Sequence, residues 1–483
     1  MGAAQPNILF LYADQHRADV LGCAGNDVVV TPHLDRLALE GVRCTAAWTE
    51  SPICQPARAS MLTCRYPTDH GILGNFAGES SPDWDTVPQA IRSAGYDTAS
   101  IGKTHYASWP MGPNGPEDTP PPTDEWIGSF GFDHVVEEFD RYVHVGRHDT
   151  PYMRFLRDRD ALEPYRDTVQ ARFRAGDRHW EAVTSPLPQE LDLTSFLGRE
   201  AESWLRGRTG ERPWFLQLSF VQPHVPLMRD PEWAAHYAHA EIARTAPARP
   251  STDHHGWDAH LDLLRRHSHS ELLSDSFVLA GARQYYAMVS LIDQQIGALV
   301  QLLEQRGELD DTMVIYAADH GEMLGDHGLM AKMNFYRSSV TIPLIVRPPG
   351  GRPSVIHDSP VQAIDVAATM LDAAGVAVPA AGRSLAPLAN NDRAVGDTSA
   401  GPRHRDTAAS MIRMRPGLPT WIAVTDGDVR CTFDRHSLDV VEVFDLTADA
   451  DEETNLVGDV SRARVEGLVD VAHEQLGLGL SSG

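Results

Sequence analysis

The first apolar run in the chain, Ile8 to Ala13, is continuous and ends at Asp14. A run without alternation suits a strand buried on both faces of a parallel sheet, which places Asp14 at the strand's C-terminal end. Thr31 to Gly41 then carries Leu34, Leu37 and Ala38 at helical spacing and closes on a glycine. Asp85 to Gly95 predicts a second helix and Tyr96 to Ile101 a strand, followed at once by GKTH with Lys103 and His105. A helix near Leu193 to Gly207 precedes a buried strand, Trp214 to Phe220, that runs into VQPHVP and sets His224 just beyond it. From about Ala282 to Gly307, Met288, Leu291, Ile292, Ile296, Leu299 and Leu303 share one face of a 3.6-residue period. The strand Thr312 to Ala318 ends at Asp319-His320, a loop with Lys332 follows, and Ile342 to Arg347 and Ile364 to Gly375 read as a strand and a helix.

Strand and helix alternate as in an α/β fold: a large mixed, mostly parallel sheet sandwiched by helices. Other stretches are less regular. Pro110 to Pro122 reads as a loop, and Asp149 to Pro188 carries many charges without a clear period, so insertions over the sheet's C-terminal edge are expected there. Ser251 to His269 holds His254, His255, His260, His267 and His269 without metal-ligand spacing and reads as a solvated surface loop. Beyond Leu388 a polar, glycine-rich linker leads to short strands at Trp421 to Thr425, Val429 to Phe433 and Val440 to Leu446, then to an amphipathic helix, Ser461 to Leu476. The expected division is a catalytic α/β domain over 1–388 and a smaller C-terminal α+β subdomain over 389–483 that packs against it.

Composition narrows the partners. Hydrophobic residues make up 42% and charged residues 22%, as in an ordinary globular protein. A formal net charge of -26 argues against nucleic acid or an anionic membrane as partner. An anionic small substrate would need local cations or a metal ion working against that field. The five cysteines, Cys23, Cys44, Cys54, Cys64 and Cys431, show no CxxC spacing and suggest no disulfide framework. The N-terminal apolar run has no basic flank and is too short for a signal peptide or a span, so a cytoplasmic protein is expected.

Those cations are present. Asp14, Lys103 with His105, His224, and Asp319 with His320 each follow a different predicted strand, and in a parallel sheet such ends share the edge where α/β proteins bind ligands. Asp14, Asp319 and His320 can bind a divalent cation. Two carboxylates with the Gln15 amide suit calcium, and His320 also admits manganese. Arg58, Lys103, His105, His224 and Lys332 supply the donors that a tetrahedral oxyanion needs. Ser51 to Arg65 adds Cys54 just before a predicted helix with Pro56 in its first turn, where free N–H groups and the helix dipole favour an anion.

CxPxR at that turn, together with NILFLYADQ, GKTH, SFVQPHVP, ADHGEMLGDHGLMAK, IPLIVRPPG and GRSLAPL, resembles the successive motifs of the sulfatase family within the alkaline phosphatase superfamily. The resemblance implies that Cys54 is oxidised to formylglycine by a formylglycine-generating enzyme. It implies further that Asp14, Gln15, Asp319 and His320 hold one metal ion, with the modified Cys54 completing the shell. Arg58 and Lys103 would hold the formylglycine hydrate and the sulfate, His105 would take a proton on collapse of the sulfated hydrate, and His224 and Lys332 would bind sulfate oxygens and assist the leaving group. A small sulfate ester is the implied substrate, and self-association is common among related enzymes. Gln15 departs from the adjacent aspartates of many members and is shared with those that act on phosphonate monoesters or phosphodiesters, whereas GKTH points to true sulfatases. Phosphonate monoester or phosphodiester hydrolysis, and a metal-binding homologue without catalysis, therefore stand as alternatives.

Overall fold

The apolar runs lie side by side at the centre of one eight-stranded sheet. The computed structural model describes residues 5–75, 78–107, 123–141, 144, 149–173, 180–243, 246, 255–352, 354–389 and 403–478. Its main strands are β1 (Asn7–Asp14), β2 (Val42–Cys44), β3 (Asp97–Gly102), β4 (His134–Glu137), β5 (Trp214–Pro223), β6 (Thr312–Ala318), β7 (Leu344–Arg347) and β8 (Val355–His357), in spatial order β8-β2-β7-β6-β1-β5-β3-β4. Every pairing is parallel except the two made by β7, with β6 and with β2.

The unbroken apolar character of β1 has a direct cause. Leu9, Leu11 and Ala13 face one core, shared with the helices Pro32–Leu39, Leu193–Gly207 and Asp275–Arg306. Ile8, Phe10 and Tyr12 face a second core, shared with Cys54–Thr63, Val87–Ser93 and Ile364–Ala373. Both faces are covered, so neither tolerates the polar alternation of a half-exposed strand. The sandwich of helices around a mostly parallel sheet agrees with the expectation from sequence.

Three stretches differ from the sequence reading. Asp149 to Pro188 contains two helices, Pro151–Arg157 and Leu162–Phe173. Tyr152, Met153, Leu156, Leu162, Tyr165 and Val169 are buried in the first core, a helical spacing masked by the charged residues between them. The second correction concerns Ser251 to His269, where His255–His267 is a helix instead of a solvated loop. Trp257, Leu261 and Leu264 at i, i+4 and i+7 are buried, and His260 stacks on Trp257 at 4.7 Å while its Nε2 lies 2.8 Å from the Met333 carbonyl. His254, the Pro110 to Pro122 loop and residues 390–402 of the expected linker lie outside the described residues. Third, the long core helix begins at Asp275, seven residues earlier than its periodicity suggested, because Ser274 caps it through the Phe277 N–H.

The C-terminal sheet has four antiparallel strands, β9 (Ala408–Ile412), β10 (Trp421–Thr425), β11 (Val429–Asp434) and β12 (Val440–Asp445); β9 was not foreseen. Its one face packs on the helix Arg462–Gln475 through Leu468, Val469 and Ala472. The other packs against Ile53, Trp257, Met323, Phe335 and Tyr336, the surroundings of the Cys54 turn and of the loop carrying Lys332. Replacing Trp257 by Ala therefore empties a core site and should lower stability by about 3–5 kcal/mol in chemical denaturation. A change within about 0.5 kcal/mol would mean that the segment is the exposed loop its composition suggests.

Candidate active site

Cys54 is the first residue of its helix, one position further in than expected, because Ile53 before it is extended (φ -159°). Pro56 stands in the first turn, where no intrahelical N–H bond is lost. The Gln55 N–H is taken by Asn75 Oδ1 at 2.9 Å. Cys54 Sγ lies 3.2 Å from His320 Nε2 and 3.7 Å from Asp14 Oδ1, and all three side chains are buried.

The strand ends explain how these residues meet. Pairing of β1 with β5 slips after Ala13, so that Asp14 stands opposite Pro223, and such a bulge re-aims a side chain. Gln15 then turns into left-handed backbone (φ 68°), and its N–H donates to Asp319 Oδ1 at 2.9 Å. Asp319, just past β6, also accepts the His320 N–H at 2.9 Å. His320 Nδ1 lies 2.9 Å from the Gly321 carbonyl, which can only accept, so Nδ1 carries the hydrogen and Nε2 offers a lone pair to the site.

Ligand atoms of Asp14, Cys54, Asp319 and His320 all lie within 4.8 Å of one another. Two carboxylates and an imidazole with its Nε2 lone pair turned inward form a donor set that fits a divalent cation. Gln15 sits beside this group with its amide committed elsewhere: Lys332 Nζ donates to its Oε1, and its Nε2 donates to Glu322.

The cations interlock with the carboxylates. Arg58 donates from Nε to Asp319 Oδ2 at 2.8 Å, from Nη2 to Asp14 Oδ2 at 3.2 Å, and from Nη1 to the Lys103 carbonyl at 2.7 Å and Ser219 Oγ at 3.0 Å. Lys103 Nζ lies 2.7 Å from Asp14 Oδ2 and 3.2 Å from Asp140 Oδ2. His224 joins the group at its edge, with Nδ1 3.6 Å from Asp140 Oδ2. His105 is held in left-handed backbone (φ 53°) with its ring edge-on to Phe139, and among the described residues neither ring nitrogen has a hydrogen-bond partner.

Electrostatics follow from burial. Desolvation alone would raise the Asp14 carboxyl, but the charges of Lys103 and Arg58 outweigh it and hold the group well below the usual range. Burial, with Asp14 beside it, pushes the Cys54 thiol up to about 11, so Cys54 as an unmodified residue is a neutral thiol. Burial and the charge of Lys103 hold His105 well below the ordinary histidine value, and burial with Lys332 lowers His224 to about 3. Both imidazoles are neutral near pH 7.

Of the residues singled out in the sequence, Asp14, Cys54, Arg58, Lys103, Asp319 and His320 form one contact network, Gln15 and Lys332 adjoin it, and His224 reaches it through Asp140. His105 makes no hydrogen bond to the others among the described residues. Asp140, Glu322 and Ser219 went unnoticed. Glu322 lies within the quoted DHGEM run, and Asp140 lies three residues beyond HVVE, a four-residue strand whose two central valines give no period-two signal.

Known proteins share this arrangement of chain and fold. The Sulfatase family model matches residues 6–376. An arylsulfatase of Clostridium perfringens (strain 13 / Type A) is 27% identical, covering 78% of this chain and 76% of its own. A choline-sulfatase of Rhizobium meliloti (strain 1021) is 26% identical, covering 94% and 83%. Among solved structures, the phosphonate monoester hydrolase of Agrobacterium radiobacter superposes with a TM-score of 0.76 at 24% identity over 98% of this chain and 96% of its own, a likeness of fold.

If the four-donor group holds a cation, His320→Ala should weaken binding of a divalent ion at least about 10-fold, read as a smaller rise in Tm on adding the ion. His320 is neutral, so the substitution removes a ligand without leaving a buried charge unpaired. Equal Tm shifts in the two proteins would remove His320 from the ligand set.

Proposed function

The chain belongs to the sulfatase family, and from that premise and the chemistry of its site we propose that it is a sulfuric ester hydrolase, cleaving a small organic O-sulfate to an alcohol and inorganic sulfate. The observation that carries this reading is Cys54 at the first turn of a helix with Sγ 3.2 Å from His320 Nε2, inside a group of donors that suits a metal ion. A cysteine thiol held near 11 is a weak nucleophile, which favours a modified side chain as the reacting group. Maturation of Cys54 to formylglycine by a generating enzyme is therefore part of the proposal. The hydrate would supply the attacking oxygen, and the bound cation would lower that oxygen's pKa and polarise the sulfate.

Asp14, Asp319 and His320, with Gln15 alongside, are the residues that would hold the ion. The preponderance of oxygen donors favours Ca2+, while the imidazole also admits Mn2+. Arg58 and Lys103 would hold the hydrate and the ester's oxygens by charge-assisted hydrogen bonds. His105 is neutral and, among the described residues, without a hydrogen-bond partner, the state a general base needs, and is the group proposed to accept the proton when sulfate departs. His224 and Lys332 complete the proposed contacts to the sulfate and the leaving oxygen.

A second reading is favoured by Gln15. A neutral amide beside Asp14, where a second carboxylate would add negative charge, leaves the site more tolerant of other tetrahedral esters, and phosphonate monoester or phosphodiester hydrolysis is the alternative. One experiment addresses maturation and chemistry together. Protein made with a formylglycine-generating enzyme is digested with trypsin, the peptide Cys44 to Arg58 is weighed, and turnover of an aryl sulfate and a phosphonate monoester is compared. A sulfur-free aldehyde or its hydrate at Cys54, with faster turnover of the sulfate, is expected. The reverse preference would move the assignment to phosphonate esters. A retained thiol with no metal-dependent turnover would sink the hydrolase reading in favour of a metal-binding homologue without catalysis.

A further inference from the structure

Two strands that lie next to each other deliver opposite charges to the same place. β3 and β4 pair with Gly102 opposite Glu137, so the segments beyond them leave the sheet side by side, one carrying Lys103 and the other Asp140. Asp140 is 5% exposed, and its Oδ2 accepts a hydrogen bond from Lys103 Nζ at 3.2 Å. The same oxygen lies 3.6 Å from Nδ1 of His224, which arrives from a third segment, beyond β5. At that distance, and with the ring neutral, the approach is neither a hydrogen bond nor an ion pair. The hydrogen bond of Nδ1 goes to the neighbouring Val225 carbonyl at 3.0 Å.

The sign of Asp140 limits what it can do. A buried carboxylate at a site for an anionic ester repels the ester's charged oxygens, so Asp140 is not a ligand for them. Towards the Lys103 ammonium the same charge is favourable. Asp14 also holds the Lys103 ammonium, at 2.7 Å, but Asp14 belongs to the four-donor group suited to a cation. Asp140 lies outside that group and remains a partner for the ammonium when Asp14 is otherwise engaged. The charges of Lys332, Lys103 and Asp14 also act on His224, and Asp140 is one of the carboxylates that offset the two cations.

We propose that Asp140 is a positioning residue for ester cleavage, fixing the Lys103 ammonium beside the His224 ring so that the ammonium is held in place to act on the ester. It rests on the assignment of Lys103 and His224 to the ester site made above. An ammonium on a four-carbon stem has many rotamers, and a displacement of about 1 Å at a reacting centre costs on the order of 100-fold in rate. The effect is largest when the departing oxygen depends most on a donor, that is, for a poor leaving group.

The matured, metal-loaded enzyme is compared with D140N and D140E on 4-nitrophenyl sulfate and phenyl sulfate. D140N should lower kcat on phenyl sulfate by about 100-fold and on 4-nitrophenyl sulfate by about 10-fold, with KM little changed on either. D140E, which keeps the charge, should recover part of both losses. A crystal structure of D140N should show Lys103 Nζ displaced. An unchanged ratio of kcat between the two esters, or Lys103 Nζ unmoved in the D140N crystal, overturns the proposal. If D140N does not fold, D140E must itself show the larger loss on phenyl sulfate, and equal losses overturn the proposal. An enzyme that turns over phosphonate monoesters and no sulfate ester defeats the sulfatase reading alone, because the same two leaving groups on phosphonates then decide the role of Asp140. With no turnover of any ester, the crystal structure of D140N decides it.

Discussion

Asp14 is fully buried, and its carboxylate meets Lys103 Nζ at 2.7 Å and Arg58 Nη2 at 3.2 Å. Removing one partner from such a buried pair costs about 3–5 kcal/mol, because the other charge is left in a medium that cannot solvate it. Arg58 carries the constraint onward, since its Nε is bound to Asp319 and its Nη1 to the Lys103 carbonyl and Ser219. One guanidinium thereby ties the ends of β1, β3, β5 and β6 to the first turn of the Cys54 helix. The ends of four strands are brought to a common point by the parallel sheet, and the ionic contacts then orient their side chains against one another. A site held in this way has its dipoles in place before a ligand arrives, which is the condition under which electrostatic stabilisation is strongest.

The C-terminal sheet bears on the same centre from outside. Its inner face buries Ile53, whose extended backbone sets where the helix begins, and Phe335 and Tyr336, which follow Lys332. The Met411 N–H donates to the Glu50 carbonyl at 2.9 Å, so β9 is joined to the segment leading into Cys54. Arg405 forms a buried ion pair with Asp365 at the start of the helix Ile364–Ala373, and its guanidinium also reaches the Ala381 carbonyl at 2.7 Å. The smaller sheet is therefore a wall of the site as much as an appendage. Loosening it would release the turn that presents Cys54 and the loop that presents Lys332 together.

Much of this was legible in the chain because it depends on position along strands. β1, β3, β5 and β6 are long apolar runs, and residues just beyond them had to share one edge; Asp14, Lys103, Asp319 and the Arg58 that joins them are found together for that reason. What was not legible depends on partners distant in sequence. The helix His255–His267 buries Trp257, Leu261 and Leu264, and five histidines nearby concealed that spacing until β10 supplied the Trp421 surface it packs on. Strand β4 is four residues long and was passed over, and with it Asp140. The commitment of the Gln15 amide to Lys332 and Glu322 could not be read either, because an amide after a strand end is equally suited to a metal or to a neighbouring side chain.

The net charge of -26 and a site for an anion are compatible because they act over different distances. At physiological ionic strength the field of exposed carboxylates decays over about 8 Å, so it opposes the approach of an anion without reaching far into the protein. Inside, the fixed charges of Asp14, Asp319, Arg58 and Lys103 are close to balanced, two carboxylates against two cations, and all are nearly inaccessible to water. A divalent ion placed among them would leave the centre positive at short range, where the local dielectric is low and each charge counts for more than in water. Attraction for a tetrahedral anion is thus confined to contact distance. Selection then falls on groups that fit the oxygen positions around Arg58 and Lys103, and the walls beyond those oxygens determine which ester carries them there.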